Sequence, residues 1–529
     1  MKMERAALAG IGAVLVLGSQ AAIGDTYEYC PEGNTVCIVA TRPVTGGQHV
    51  DWCTNQSSSH YNEIVAGVQD GVCPATGNIW LGNPDDGGAG ATCLTCDQNN
   101  LSNPHPDFPS SAHQRGNPAW GATCDYVVIQ ATNDMADEDL GPGNEALEEA
   151  YDLLEGPHWG VHNNLWIVEA DLRNGEDQFY IQPIVENDQL GWTYDRGRGS
   201  LHPQFIKNFG TATGPDKLFW AQRTPTTSLN PWAYWKLGIA NITLNGSGVY
   251  VLSSVEDWFE TTTGIYETHA AVRWKSGIFT LESFYFTHTG TGYGILDDEF
   301  VVTRLGTSNT EPTGAWSNLS VQPNEPSPGT PPNGSSDVAY IDPDPELSIS
   351  GDDYDEHVTP TPDLNGYAFN SSRDPEFGLN NLWEYGDNIG SLAQELWVYY
   401  DSNFQRLTNY NDALHARFSE DPEYENYIPA DSIRATAGDF AFGTPDPCDP
   451  ESEEEDACEV EGQDGKTRLV EFVTTYVKKD YCEEYDDEMG TTACSDIAAL
   501  SATCSSVCAD DWCQLGAVSL LTLDRDMYP

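Results

Sequence analysis

Basic residues are scarce in this chain. Its 529 residues hold 23 Lys and Arg against 83 Asp and Glu, a formal net charge of −60. That balance excludes sequence-independent nucleic-acid binding, which needs clustered Lys and Arg to neutralise phosphates. It also disfavours anionic membrane surfaces. Long apolar runs are missing too. Ala6 to Leu17 and Leu515 to Leu523 both fall short of the roughly 20 residues of a spanning helix, so membrane insertion is not expected.

Familiar catalytic motifs are absent. There is no His-Glu-x-x-His zinc-protease pattern and no Gly-x-Ser-x-Gly nucleophile elbow. Gly465-Lys466-Thr467 ends like a phosphate loop, but Val460 stands where the first glycine is required. Gly290, Gly292 and Gly294 precede no helical pattern, so they do not make a dinucleotide fingerprint.

Cysteine is absent between Cys124 and Cys448, which splits the 14 cysteines into two equal groups. Lys2 and Arg5 followed by the apolar stretch and small residues at 19–24 read as a signal peptide over 1–24, hence a secreted, extracellular protein. In that setting the clustered cysteines form disulfide frameworks. An odd number on each side leaves either two free thiols or one bridge between the two ends, and the bridge is the expectation. Cys93-Leu94-Thr95-Cys96 lacks a second pair at zinc-site spacing and is read as a local disulfide.

Four further segments follow. Residues 25–126, rich in Gly, Asn, Pro and Cys, predict an irregular disulfide-stapled module with short strands. After a helix at Asn144–Glu155, period-two patterning predicts strands at Leu165–Leu172, Gln178–Glu186, Lys217–Gln222, Trp235–Leu244, Gly248–Ser253, Tyr266–Trp274, Ile278–Thr287 and Glu299–Leu305. These point to an antiparallel β-sandwich or jelly roll over 127–308, in a mainly β protein. Residues 309–337 read as a Pro-rich linker. Residues 338–529 read as an acidic, helical, Cys-rich region. There Ile389, Leu392, Leu396, Tyr400, Phe404, Leu407, Tyr410, Leu414 and Phe418 recur at helical spacing. Leu469–Val477 and Asp496–Val507 are expected as two more helices.

Candidate sites are of three kinds. Glu169, Asp171, Glu186 and Glu282 could supply the paired carboxylates of glycoside hydrolysis. Trp192, Tyr194, Trp232, Trp235 and Trp258 offer flat rings that stack on sugar faces. His158 and His162, spaced to share one strand face, could hold a metal with Glu169 or Asp171. Asp342, Asp344, Asp353 and Asp355 present hard oxygens suited to calcium, the one cofactor suggested. Sequons at Asn55, Asn100, Asn241, Asn245, Asn318, Asn333 and Asn370 make a glycoprotein in a eukaryotic source.

The leading expectation is a secreted protein that binds or acts on carbohydrate, with a polysaccharide or glycan as partner. Its alternatives are a self-associating structural or surface-coat protein linked by calcium, and an exported metal- or carboxylate-dependent hydrolase.

Overall fold

The computed structural model describes residues 40–43, 49–69, 77–83, 91–108, 115–132, 163–184, 199–205, 207–208, 217–223, 235–258, 265–275, 278–287, 297–305, 317–318, 355–361, 366–371, 394–400, 403–408, 410–418, 421–443, 467–501, 508–509 and 511–523. The structure is mainly β, and its strands pair almost entirely with their neighbours in sequence.

After β1 (Ala40–Pro43), a first sheet takes β2 (His49–Trp52), β3 (Ile64–Gln69), β4 (Gly77–Gly82) and β5 (Thr92–Cys93). A ribbon of β6 (Cys96–Asp97) and β7 (Asn100–Pro104) follows. The second sheet takes β8 (Arg115–Trp120), β9 (Tyr126–Thr132), β10 (Asn163–Glu169) and β11 (Ile181–Pro183). Next come β12 (Gly199–Phe205) and β13 (Lys207–Asn208), then β14 (Lys217–Arg223), β15 (Trp235–Leu244) and β16 (Tyr250–Trp258). The third sheet is β12-β14-β15-β16. The fourth sheet takes β17 (Ile265–Lys275), β18 (Ile278–Thr287), β19 (Asp297–Leu305) and β20 (Ser317–Asn318), with β13 added parallel to β17.

The fifth sheet takes β21 (Asp355–Pro360), β22 (Gly366–Ser371), β23 (Glu395–Tyr400) and β24 (Asn403–Arg406), and helix α1 (Tyr410–Phe418) follows. The sixth is built on β25 (Ile433–Phe442) and β26 (Thr467–Lys478). Helices α2 (Cys482–Met489) and α3 (Ala493–Leu500) then lead through β27 (Cys508–Ala509) to β28 (Trp512–Leu523). β1 completes the sixth sheet by pairing antiparallel along β28, so strand pairing joins the N-terminal module to the C-terminal region.

The first strands of the six sheets touch in succession: β2, β8, β12, β17, β21 and β25, with β25 back against β2. This closed ring of radial four- and five-stranded sheets is the arrangement of a six-bladed β-propeller, built around those strands. The strands of 127–308 are therefore shared among three successive blades and do not face each other as a sandwich or jelly roll. Local alternation is the same in both architectures, and only contacts between sheets tell them apart.

Hydrophobic packing between blades holds the ring. Val50 and Trp52 of blade one pack with Ala441, Val470 and Phe472 of blade six, which seals the closure. Val128, Leu165 and Ile167 of blade two meet Leu218, Trp220 and Ala240 of blade three. Beside blade six, α1, α2 and α3 bury Leu414, Phe418, Tyr485 and Ile497 against Ile433, Val473 and Val477.

Two expectations for the C-terminal region are corrected. The long helix expected around residues 389–418 is instead β23, β24 and the short helix α1. Leu392, Leu396, Tyr400 and Phe404 are four apart, a spacing that also fits a strand of period two. Glu395–Tyr400, with its Trp, Val and two Tyr, has the composition of a strand. The expected helix at Leu469–Val477 is the middle of β26, buried on both faces and rich in Val and Thr. Helix expected at Asp496–Val507 begins earlier, as α3. The helix expected at Asn144–Glu155 and the linker lie outside the described residues.

Disulfides join Cys53 to Cys124, Cys93 to Cys96, Cys482 to Cys494 and Cys508 to Cys513. The Cys93–Cys96 pair is thus a local bridge, as its sequence suggested. Cys30, Cys37, Cys73, Cys448, Cys458 and Cys504 lie outside the described residues, and the expected bridge between the ends with them.

Candidate functional site

Five of the inner strands share a local irregularity. In β8, β12, β17, β21 and β25 the register shifts so that two residues oppose one. The pairs are Asn117-Pro118, His202-Pro203, Thr268-His269, His357-Val358 and Gly438-Asp439. Such bulges re-aim side chains and recur beside binding and catalytic sites. In four of these bulges the first residue is polar; in β25 it is Gly438, and the polar residue is Asp439, one position later.

The described side chains cluster where blades six, one and two meet. His49 and Asp51 alternate along β2 with the core residues Val50 and Trp52. Asp51 is buried, and its carboxylate accepts the backbone N–H of Trp52 at 2.8 Å and of Trp120 at 2.7 Å. His49 Nδ1 lies 3.0 Å from Asp439 Oδ2 in the β25 bulge. Burial pushes the His49 imidazole down to about 3, so the ring is neutral and its Nδ1–H donates to the carboxylate. The other Asp439 oxygen accepts the Phe440 N–H at 2.9 Å. Behind this bulge the buried Asn370 Nδ2 donates to the carbonyls of Ala437 and Gly438. That burial closes the Asn370 sequon to glycosylation in the folded protein.

In the β8 bulge, Asn117 adopts φ 47 and is buried, yet its Nδ2 has no hydrogen-bond partner. Asparagine tolerates this left-handed backbone better than most residues. An orphaned buried amide donor is uncommon, and a ligand oxygen would satisfy it.

Of the residues singled out from sequence, Glu169 and Asp171 are fully described. Glu169, the last residue of β10, does not reach an inner strand. It takes Arg173 in a two-point ion pair, with Nε and Nη2 both at 2.8 Å, and accepts the Tyr250 hydroxyl at 3.0 Å. Arg173 also bonds the Gly248 carbonyl at 2.8 Å and stacks over the Tyr180 ring. Glu169 is thereby the centre of a latch between blades two and three; it raises the pKa of Arg173, and burial, with Glu169 added, raises that of Tyr250. Asp171 is exposed, 3.4 Å from Nε2 of His60, which stacks on Trp120 and bonds Glu63 at 2.6 Å.

Glu282 sits in β18 opposite Ala271 and Val302. Trp235 begins β15, Trp258 ends β16 and Asp355 begins β21. Glu186, Trp192, Tyr194, Trp232, His158, His162, Asp342, Asp344 and Asp353 lie outside the described residues. Sequence reasoning passed over Asp51, Asn117 and Asp439. The only signal for Asp51 was the polar and apolar alternation of His49-Val50-Asp51-Trp52 inside a module read as irregular.

No family model matches the chain, and no curated protein matches it. Among solved structures, a levansucrase from B. megaterium aligns at 14% identity with a TM-score of 0.33, over 72% of this chain and 87% of that one. A sialidase from Trypanosoma rangeli in complex with sialic acid aligns at 8% identity with a TM-score of 0.39, over 93% of this chain and 59% of that one. A thermostable family-43 glycoside hydrolase aligns at 10% identity with a TM-score of 0.29, over 70% of this chain and 93% of that one. These likenesses are loose, and the chemistry of this chain has to be argued from its own side chains.

Proposed function

We propose that this is a secreted protein that binds or hydrolyses glycans at the inner strands of the ring, where blades six, one and two meet. One observation carries the reading. Two carboxylates, Asp51 and Asp439, stand on neighbouring inner strands, Asp439 bonded to His49 two residues before Asp51, with the unpartnered Asn117 Nδ2 on the next strand.

Glycoside hydrolysis needs two carboxyl groups flanking the scissile bond, about 5–10 Å apart. Asp439 meets β2 at His49, two residues before Asp51, and alternate residues on a strand are about 7 Å apart, so both carboxylates belong to the same stretch of the inner strands. Asp51 is held as a fixed acceptor by two backbone N–H groups, which suits a carboxylate that must keep one orientation. Asp439 is oriented by a neutral imidazole, which constrains it without adding a full positive charge. The unpartnered Asn117 Nδ2 is a donor that a sugar hydroxyl or ring oxygen can accept from.

The test is a panel of soluble polysaccharides and oligosaccharides, assayed for binding and for reducing-end release. Asp51→Asn and Asp439→Asn are compared with wild type, each checked for an unchanged melting curve. Loss of turnover by about 10²-fold or more in both variants, with binding retained, supports hydrolysis. Binding without turnover in any preparation supports a lectin-like role. Wild-type binding and turnover absent across the panel, or variants as active as wild type, would overturn the assignment.

A further inference from the structure

In a chain with so few cations, one guanidinium stands out. Arg434, the second residue of β25, is only 2% exposed. Its guanidinium carbon lies 3.9 Å from the centre of the Trp512 ring and 5.4 Å from that of Tyr476, its cross-strand neighbour. Its Nε and Nη2 are buried and have no hydrogen-bond partner, and among the described residues no carboxylate pairs with it. Burial lowers its pKa to about 10, which still leaves it charged at neutral pH. Lys478 approaches the same Trp512 ring at 5.3 Å, so positive charge is concentrated on this face of blade six.

The geometry divides the guanidinium into two parts. Stacking on Trp512 occupies its flat face, whereas hydrogen bonds leave through its edge. The two orphaned groups, Nε and Nη2, are the pair that forms the side-on fork for two oxygens of one carboxylate. A buried ion without a partner costs far more than stacking on two rings returns. The Arg434 site is therefore incomplete without an anion.

We propose that Arg434, braced by Trp512 and Tyr476, is a binding site for a carboxylate group, separate from the Asp51 and Asp439 cluster. The group could belong to a free small acid or to an acidic sugar, and the two are distinguishable.

The full chain is melted at constant ionic strength and pH 7 in sodium chloride, sodium acetate and sodium glucuronate, alongside Arg434→Lys. Lysine keeps the charge and loses the fork. The expected result is a saturable rise in Tm of about 2–5 °C with carboxylate over chloride in wild type, absent in the lysine variant. A rise with both acids assigns a free carboxylate, and a rise with glucuronate alone assigns a sugar acid. Equal melting in all three salts overturns the site, as does a lysine variant that responds like wild type. If the variant fails to fold, titration calorimetry of wild type with each acid decides. Saturable heat supports the site, and its absence overturns it. Loss of glycan activity in the Asp51 and Asp439 variants bears on neither outcome.

Discussion

Two buried glutamates show how burial and hydrogen bonding set charge one residue at a time. Glu395 in β23 accepts Thr408 Oγ1 at 2.6 Å, the N–H of Tyr410 at 2.9 Å, and the N–H and Nδ2 of Asn411 at 2.8 and 3.1 Å. Tyr410 and Asn411 open α1, so a carboxylate from a neighbouring strand satisfies the first free donors of the helix and meets the positive end of its dipole. Burial raises the Glu395 pKa, and these bonds pull it back. Glu471 in β26 has less help. Among the described residues it accepts only the Tyr410 hydroxyl, at 2.7 Å, and its second oxygen is buried without a partner. Burial, with the charge of Glu395 added, holds its pKa well above the ordinary 4.5.

Because the folded protein prefers Glu471 protonated, its contribution to stability is complete below pH 4.5 and is lost as pH rises through the elevated folded value. Glu471→Gln cannot ionise, so its Tm should gain on wild type steadily from pH 4.5 upward. Melting curves from pH 4 to 9 check this. A difference between the two proteins that stays constant with pH would refute it.

At the scale of elements, the period-two strands were legible in the sequence. Trp235–Leu244 and Ile278–Thr287 run to the very residues expected. The turns between them were legible for a local reason. Asn245-Gly246 sits at a hairpin where Asn245 Oδ1 accepts the N–H of Ser247 at 2.9 Å. Helix and strand were confused where apolar residues recur every fourth position, since that spacing satisfies both periods. Close packing between elements was not legible. Gly238 in β15 faces the Trp220 indole of β14 so closely that an added Cβ would stand 2.2 Å from it. Gly238→Ala should therefore destabilise by about 1–3 kcal/mol through overpacking. Denaturant midpoints would show it, and an unchanged midpoint would mean that Trp220 can shift aside.

For the whole molecule, the decisive quantity is the charge of −60. Few described ion pairs offset it, and those that do, such as Arg173–Glu169 and Arg417–Glu488, are short and partly buried. Salt should weaken the long-range repulsion more than these contacts. Tm is expected to rise between low and seawater-like sodium chloride. A flat or falling Tm would show that the repulsion is already relieved by bound cations. Whether calcium adds a specific increment is read by repeating the melt at equal ionic strength with and without it.

The sequence by itself determined the quantities that depend on near neighbours: the charge, the alternation of strands, many of the turns and the local Cys93–Cys96 bridge. The tertiary structure alone decided how the sheets close on one another and which polar residues meet inside the ring. His49 and Asp439 are 390 residues apart in the chain and 3.0 Å apart in the fold. β1 reaches β28 only because six blades complete one turn. No local pattern encodes such a meeting, because it follows from the summed geometry of every blade between the two ends.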